Sequence, residues 1–468
     1  MVSPDQVDRS LADAAPEVLW LDDPARPGPS APLDRTVTAD LVVVGGGYTG
    51  LWTALRAKER DPQTDVVLVE AGECGWQASG RNGGFAAASL THGFLNGQER
   101  WPEELAQLDR LGADNLDAIG QTIARYDIDC NWERTGELDV ATRDHEVEGL
   151  VEYGEALAAA GHDVTILDRE QVQGLVASPS YRAGLLDGHG VAMVEPARLA
   201  WGLRQACLDQ GVRIFEQTRA LDLENDGHTM VVTTDHGKVL ARRVALATNA
   251  FPPLLARLKL MTVPVYDYVL ATEPLSAAQR ASIKWQGRQG IGDSGNMFHY
   301  YRLTRDDRIA FGGYDAVYHY GSKIDPALEQ AGSTHRTLAT HFFETFPQLE
   351  GLRFTHKWAG VIDTCTRFAA FWGTAYEGRV AYVQGYTGLG VAATRFGAEV
   401  MLDLLSGDET ELTRLRMVRE KPMPFPPEPI RYAGITMTRH SLDRADGNGG
   451  KRNLWLRALD RMGLGFDS

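Results

Sequence analysis

The sequence predicts an α/β protein of two domains. One is doubly wound on a parallel sheet assembled from separated stretches, and the other is an α+β domain built on an antiparallel sheet. Three observations predict this. The β-branched run Leu41-Val42-Val43-Val44 leads into Gly45-Gly46-Gly47-Tyr48-Thr49-Gly50, a helix-period segment over 51–60 and a second apolar run, Val66–Val69, which together spell a βαβ unit. Near the C-terminus the strand-like Val380–Gln384 again runs into a glycine turn, Gly385-Tyr386-Thr387-Gly388-Leu389-Gly390, followed by helical spacing over 391–405. Between them, 266–275, 298–303 and 308–313 alternate apolar and polar residues as half-buried antiparallel strands do.

Composition bounds the function. The chain has 468 residues, enough for two sizeable cores, with 43% hydrophobic and 24% charged residues as in an ordinary globular protein. A formal net charge of −16 argues against a nucleic-acid partner, since nothing offsets phosphate repulsion. Cys74, Cys130, Cys207 and Cys365 are widely spaced, so neither a metal site nor a disulfide framework is expected, and reduced thiols in the cytoplasm are the default. No stretch has the length of a membrane span, and Asp5, Asp8 and Asp13 precede any apolar run, unlike a signal peptide.

The first glycine turn has a mechanical reading. Gly45 permits the tight turn, Gly47 lets backbone approach a pyrophosphate, and Gly50 lets the helix pack on the strand. Tyr48 and Thr49 open the helix, whose free N–H groups and positive dipole end attract phosphate. Glu70, about twenty residues after the last glycine, is placed to accept from a ribose. Dinucleotide binding follows. The loop behind Glu70, Ala71-Gly72-Glu73-Cys74-Gly75-Trp76-Gln77-Ala78-Ser79-Gly80-Arg81-Asn82-Gly83-Gly84, is crowded with small residues where nicotinamide-only folds go straight into another helix.

That loop resembles the one that runs along the FAD pyrophosphate in the D-amino-acid-oxidase-like flavoproteins. Gly-Tyr-Thr-Gly-Leu-Trp-Thr-Ala at 47–54 with Ser-Gly-Arg-Asn-Gly-Gly at 79–84 is most similar to the gamma-glutamylputrescine oxidase branch. The resemblance covers most of 38–407 and implies a Rossmann-type FAD-binding domain, FAD held non-covalently, and contacts from Ala71, Ser79, Gly80, Arg81, Asn82, Gly83 and Gly84. By the same resemblance Ala220, Ala247 and Thr248 touch the cofactor, and the turn Gly385, Gly388, Leu389, Gly390 faces the flavin, where charge develops on reduction.

In order along the chain, 1–37 is a surface leader, with Trp20 tucked onto the body. The cofactor domain takes 38–115, 190–255 and 350–410, and the substrate domain takes 116–189 and 256–349. A helix over 94–126 enters the second domain, a strand at 136–140 and a helix at 147–160 follow, and at 191 the chain returns to the cofactor domain. There a helix at 197–210 precedes a strand at 212–215, a hairpin at 230–233 and 239–242, and a buried strand at 244–250. Residues 411–468 form a proline-rich strap and a tail with a terminal helix at 454–462, without assigned chemistry.

The implied reaction is oxidation of an amine or amino acid at a CH–NH bond, with hydride passing to flavin, hydrolysis of the imine and reoxidation by O2. Tyr300, Tyr301, Trp358 and Tyr386 are candidates for an aromatic substrate face, and Arg302 for a carboxylate clamp. His92 and His299 read as structural histidines. Leu389, Ala392 and Gln77 stand where relatives carry histidine, lysine and a flavin-linking histidine, which weakens sarcosine-like specificity and covalent attachment there. A dehydrogenase using another electron acceptor, or a flavoprotein subunit acting through a partner, is the alternative. No metal is expected.

Overall fold

The computed structural model describes residues 2–330 and 332–461. Its centre is the strand Thr36–Val44, flanked in parallel by Lys238–Leu246 on one side and Val66–Val69 on the other. Among the described residues the main run of this sheet is ordered 371–375, 380–384, 238–246, 36–44, 66–69 and 213–215. Leu41, Val42, Val43 and Val44 are buried because both faces of the sheet are covered, which is why the run shows no alternation. Helices Tyr48–Arg60, Pro196–Asp209 and Gly390–Ser406 share one core through Leu51, Leu55, Leu203, Val400 and Met401. The hairpin strand and the buried strand expected at 239–242 and 244–250 are one continuous strand, Lys238–Leu246, which lines up beside the central strand along its whole length.

The second sheet runs 317–318, 263–272, 309–313, 299–303, 290–293, 137–141, 183–187 and 164–167. One face carries Tyr301 and Phe311 into a core closed by Trp285, Phe342 and Phe346. Paired residues across a sheet share a face, so Tyr300, paired with Gly312, lies opposite Tyr301 and looks back toward the first sheet.

Three expected boundaries shift. Pro102 breaks the run at 94–126 into Phe94–Arg100 and Leu105–Arg125. The cut between 115 and 116 falls inside the second of these helices, whose Leu108, Leu111, Leu116, Ile119 and Ile123 all pack into the core of the first domain. One continuous apolar stripe cannot serve two cores. Within 350–410, the strand Phe354–Thr364 pairs antiparallel with Val263–Thr272 and so belongs to the second sheet. The leader is also more than a surface segment. Helix Pro4–Leu11 is capped by Ser3, Ala15 N–H donates to Thr355 O at 2.8 Å, and the buried Trp20 donates to Asn82 O at 2.9 Å.

The tail contains an unexpected helix, Ile430–Gly447, before Leu454–Arg461; Met462 of the expected terminal helix lies outside the described residues. Among the described residues no helix is long and apolar enough to cross a membrane, and no group of His, Cys, Asp and Glu could hold a metal ion. All four cysteines are free and buried.

Candidate functional site

A cavity of about 1210 Å³ runs from the first glycine turn, between the two sheets, to the C-terminal tail. At its inner end the glycines do what their spacing requires. Gly45 has φ +113°, and a Cβ there would sit 2.4 Å from Ala247 O; a Cβ on Gly50 would sit 1.8 Å from Gly45 O. Gly47 caps the helix Tyr48–Arg60, and a Cβ there meets only Ser79 Oγ, at 3.0 Å. The space beside Gly47 is therefore a cradle that a larger side chain would fill. Tyr48, Thr49 and Ser79 line it, with Tyr48 N–H donating to Ser79 Oγ at 2.9 Å.

Glu70 follows the second strand into the same cavity. It accepts from Gly46 N–H at 2.6 Å, Gly72 N–H at 2.7 Å and Trp76 Nε1 at 2.8 Å. Burial pushes its pKa up while these donors oppose the shift. Two carboxylate oxygens offer about four lone-pair sites, so capacity for a ribose hydroxyl remains. Ala71, Ala220, Ala247 and Thr248 line this end.

Arg81, Asn82 and Gly83 also face the cavity, while Gly80 and Gly84 support the loop from behind. A Cβ on Gly80 would lie 2.1 Å from Gly75 O, and one on Gly84 (φ +79°) 2.1 Å from Val194 O. Arg81 fixes the loop through Trp76 O, Ala359 O and Glu329.

The second turn closes the far side, where Tyr386, Gly388, Leu389 and Gly390 line the cavity and Gly390 starts the long helix. Gly385 (φ +82°) stands behind them, with no room for a Cβ because Cys365 Sγ would be 2.9 Å away. Thr49 hydroxyl donates to Tyr386 Oη at 3.1 Å and ties the two turns together. Asp363, fully buried, accepts from Gly385 N–H at 2.5 Å and also holds the N–H groups of Tyr386 and Thr387. Burial pushes its pKa up to about 7 against the pull of those donors.

On the wall formed by the second sheet Tyr300 donates its hydroxyl to Asp267 and packs edge-on against Phe85, centroids 5.8 Å apart. A Cβ on Gly83 or Gly312 would strike the Tyr300 ring at 2.5 or 2.7 Å, so these glycines make its place. Burial pushes the Asp267 pKa up to about 6. A folded-state pKa above the free value means that the group's stabilising contribution is complete below about pH 4 and is lost as pH rises through about 6. Asp267→Asn should therefore flatten the wild-type loss of stability between these values, which thermal melts of the two proteins across that range would show.

Three candidate residues lie off the cavity. Tyr301 is turned into the opposite core, sharing a 2.7 Å hydrogen bond with the Tyr181 hydroxyl. Arg302 is not a carboxylate clamp. Its guanidinium is buried behind the loop 71–84, donating to Val194 O at 2.6 Å and Gly84 O at 3.3 Å, and burial lowers its pKa to about 10. Trp358 packs on Trp20 and donates to Arg81 O at 2.8 Å, so it positions the loop.

Conversely, sequence reasoning missed Asp267, Asp363 and the tail residues that line the cavity. A polar residue at alternate positions of a strand otherwise apolar, Val265-Tyr266-Asp267-Tyr268-Val269, was the available signal for Asp267. His299 is structural, bonded to Asp293 at 2.6 Å and His341 at 2.9 Å. His92 lines the cavity, its buried Nδ1 without a hydrogen-bond partner among the described residues, and burial lowers its pKa to about 4.

Comparison with known proteins agrees with this geometry. The model of the DAO family, described as FAD dependent oxidoreductase, matches residues 40–404. The chain is 32% identical to gamma-glutamylputrescine oxidoreductase of Escherichia coli, over 84% of this chain and 89% of that one. It is 28% identical to a probable oxidoreductase OrdL of Haemophilus influenzae, over 82% and 86%. Glycine oxidase from Bacillus cereus has the same fold, with a TM-score of 0.67 and 19% identity over 82% of this chain and 99% of that one. The cradle at Gly47, the carboxylate of Glu70 and the second glycine turn fit FAD, and the chain belongs to the DAO family of FAD-dependent oxidoreductases.

Proposed function

We propose that the protein oxidises an amine, with γ-glutamylated and other N-substituted amines as the substrate class, and that O2 is the electron acceptor. The observation that carries this reading is the Tyr300–Asp267 pair in its aromatic frame of Phe85, Phe298 and Tyr314, on the cavity wall formed by the second sheet. The identity with gamma-glutamylputrescine oxidoreductase supports the substrate class.

Gly45, Gly47, Tyr48, Thr49 and Ser79 would hold the pyrophosphate of FAD, Glu70 its ribose, and Arg81–Gly83 with Gly388–Gly390 the flavin. Bound FAD supplies the acceptor for the hydride that leaves the substrate carbon. The chain's own groups hold and orient the amine. Above about pH 6 Asp267 is ionised and attracts an ammonium group, while Tyr300 and the neighbouring rings offer π faces to the same cation. Tyr386 and Thr49 lock the two turns, and Trp358 fixes the Arg81 backbone, so the wall opposite the substrate stays rigid. Cys365 donates to Ala369 O at 3.2 Å and burial raises its pKa, which keeps it a thiol and supports non-covalent FAD. Free buried thiols fit a cytoplasmic location.

A dehydrogenase that passes electrons to another carrier is the second reading. Arg308 is bound to Asp306, Thr272 O and Thr355 rather than facing the cavity, so it brings no free cation to the site. The test is a panel of amines and amino acids added anaerobically to the yellow protein, followed by air. Bleaching by N-substituted amines and peroxide release on reoxidation are expected, with all FAD leaving the protein on acid precipitation. Bleaching without peroxide selects the dehydrogenase, and no bleaching by any amine overturns the reading.

A further inference from the structure

The tail lies beyond the stretch matched by the family model, yet it walls the same cavity. Helix Ile430–Gly447 contributes Ile435, Thr438, Arg439 and Leu442, and Trp455 joins them from Leu454–Arg461. The helix is anchored beside the substrate wall. Asp446 accepts from Asn296 N–H at 3.1 Å and Met297 N–H at 2.9 Å, and Tyr314 hydroxyl donates to Asp443 at 2.9 Å. Asn296 and Met297 lead through Phe298 into the strand His299–Leu303 that carries Tyr300.

Among the side chains facing this part of the cavity, Arg439 and Asp315 form one ion pair, Nη1 to Oδ1 at 2.8 Å, and both line the cavity. Neither is sealed off, with 29% and 24% of the side-chain surface open. Thr334 hydroxyl holds the other oxygen of Asp315 at 2.8 Å. The remaining N–H groups of Arg439 have no protein partner among the described residues, so its donor fork is only partly used. The pair is distinct from Tyr300–Asp267, since Asp315 lies beyond the end of strand Ile309–Gly313, toward the tail.

We propose that the tail completes the substrate site, and that Arg439 and Asp315 together read a zwitterionic α-amino-acid head group at the end of the substrate remote from the oxidised amine. An α-amino carboxylate carries opposite charges side by side, as the ion pair does, and can lie antiparallel to it. The carboxylate meets the free edge of the Arg439 fork and the ammonium meets Asp315. An amine bearing only one of the two charges satisfies one residue and leaves the other as it was. This inference rests on the amine-oxidation reading and names the substrate's far end.

The test uses the FAD-loaded full chain and three monoacylated diamines with the same reacting end. Their acyl groups are γ-glutamyl, 4-aminobutanoyl (no α-carboxylate) and glutaryl (no α-amino group). Anaerobic bleaching rates at limiting concentration should favour the γ-glutamyl compound by about tenfold or more over each of the others. Arg439→Met should lower the rate with the γ-glutamyl and glutaryl compounds and leave the 4-aminobutanoyl compound unchanged. Arg439→Lys should restore part of the loss. Asp315→Asn should instead penalise the two compounds that carry the amino group. Equal loss with all three compounds, or a wild type that bleaches without head-group preference, overturns this inference alone. A wild type bleached by no amine overturns the amine-oxidation reading with it.

Discussion

Gly47→Val is expected to give a folded protein without flavin. Gly47 has φ −79° and ψ −177°, extended backbone open to any residue, and a Cβ there has one neighbour, Ser79 Oγ at 3.0 Å. The fold therefore tolerates the branched side chain, but its methyl groups project into the space beside the helix N-terminus where the pyrophosphate must approach the backbone. FAD affinity should fall by about a hundredfold or more, the equivalent of about 3 kcal/mol. Flavin absorbance per chain after desalting, read beside far-UV circular dichroism, separates this from unfolding. Gly50→Val is the control with the opposite signature, because its Cβ would lie 1.8 Å from Gly45 O and the turn itself must break. Full flavin occupancy in the Gly47 variant would move the pyrophosphate elsewhere.

The second large effect is expected from Asp363→Ala. One carboxylate gathers the N–H groups of Gly385, Tyr386 and Thr387, in a turn where Gly385, Thr387 and Gly388 all have positive φ. Removing it leaves three buried donors unmatched at about 1–3 kcal/mol each, a loss of about 3–9 kcal/mol before the turn relaxes. The turn should then relax from its strained backbone, so flavin should dissociate faster and the melting transition of the holoprotein should move down. Asp363→Asn keeps one acceptor oxygen but turns an NH2 group toward N–H donors, and should fall between. Stability and flavin release equal to wild type in the alanine variant would show that the turn holds itself.

What was legible in the sequence followed from local rules. The steric demands of Gly45, Gly47 and Gly50 act within a few residues, so their roles can be read without knowing what lies across the sheet. The same holds for Glu70 and the small-residue loop behind it. Alternation on the strand His299–Leu303 already excluded Tyr301 from sharing a face with Tyr300. Arg302 shares that parity with Tyr300 and still turns away, because the carbonyls of Val194 and Gly84 offer it partners that no local rule places there. Helix Ile430–Gly447 was hidden for a different reason. It follows a proline-rich strap, and its Ile430, Ile435, Met437 and Leu442 make no clean stripe, since one side faces a cavity lined with both polar and apolar groups.

The place of the strand Thr36–Val44 has a consequence for how the protein is made. Its neighbour Lys238–Leu246 borders Val380–Gln384, and helix Gly390–Ser406 packs across helix Tyr48–Arg60. A ribosome delivers these pieces far apart in time. At about 5–20 residues per second, roughly 20–70 s pass between the emergence of the first strand and that of the helix covering its unit. Through that interval the apolar face of Leu51, Trp52 and Leu55 lacks its final cover, and for about the first half of it the first strand lacks its neighbour Lys238–Leu246. Shielding of the nascent chain is thus a requirement of this topology. The second glycine turn is also among the last pieces made, so flavin capture is a late event in biogenesis. Holoprotein content consequently reports on chains that were finished as well as on chains that folded.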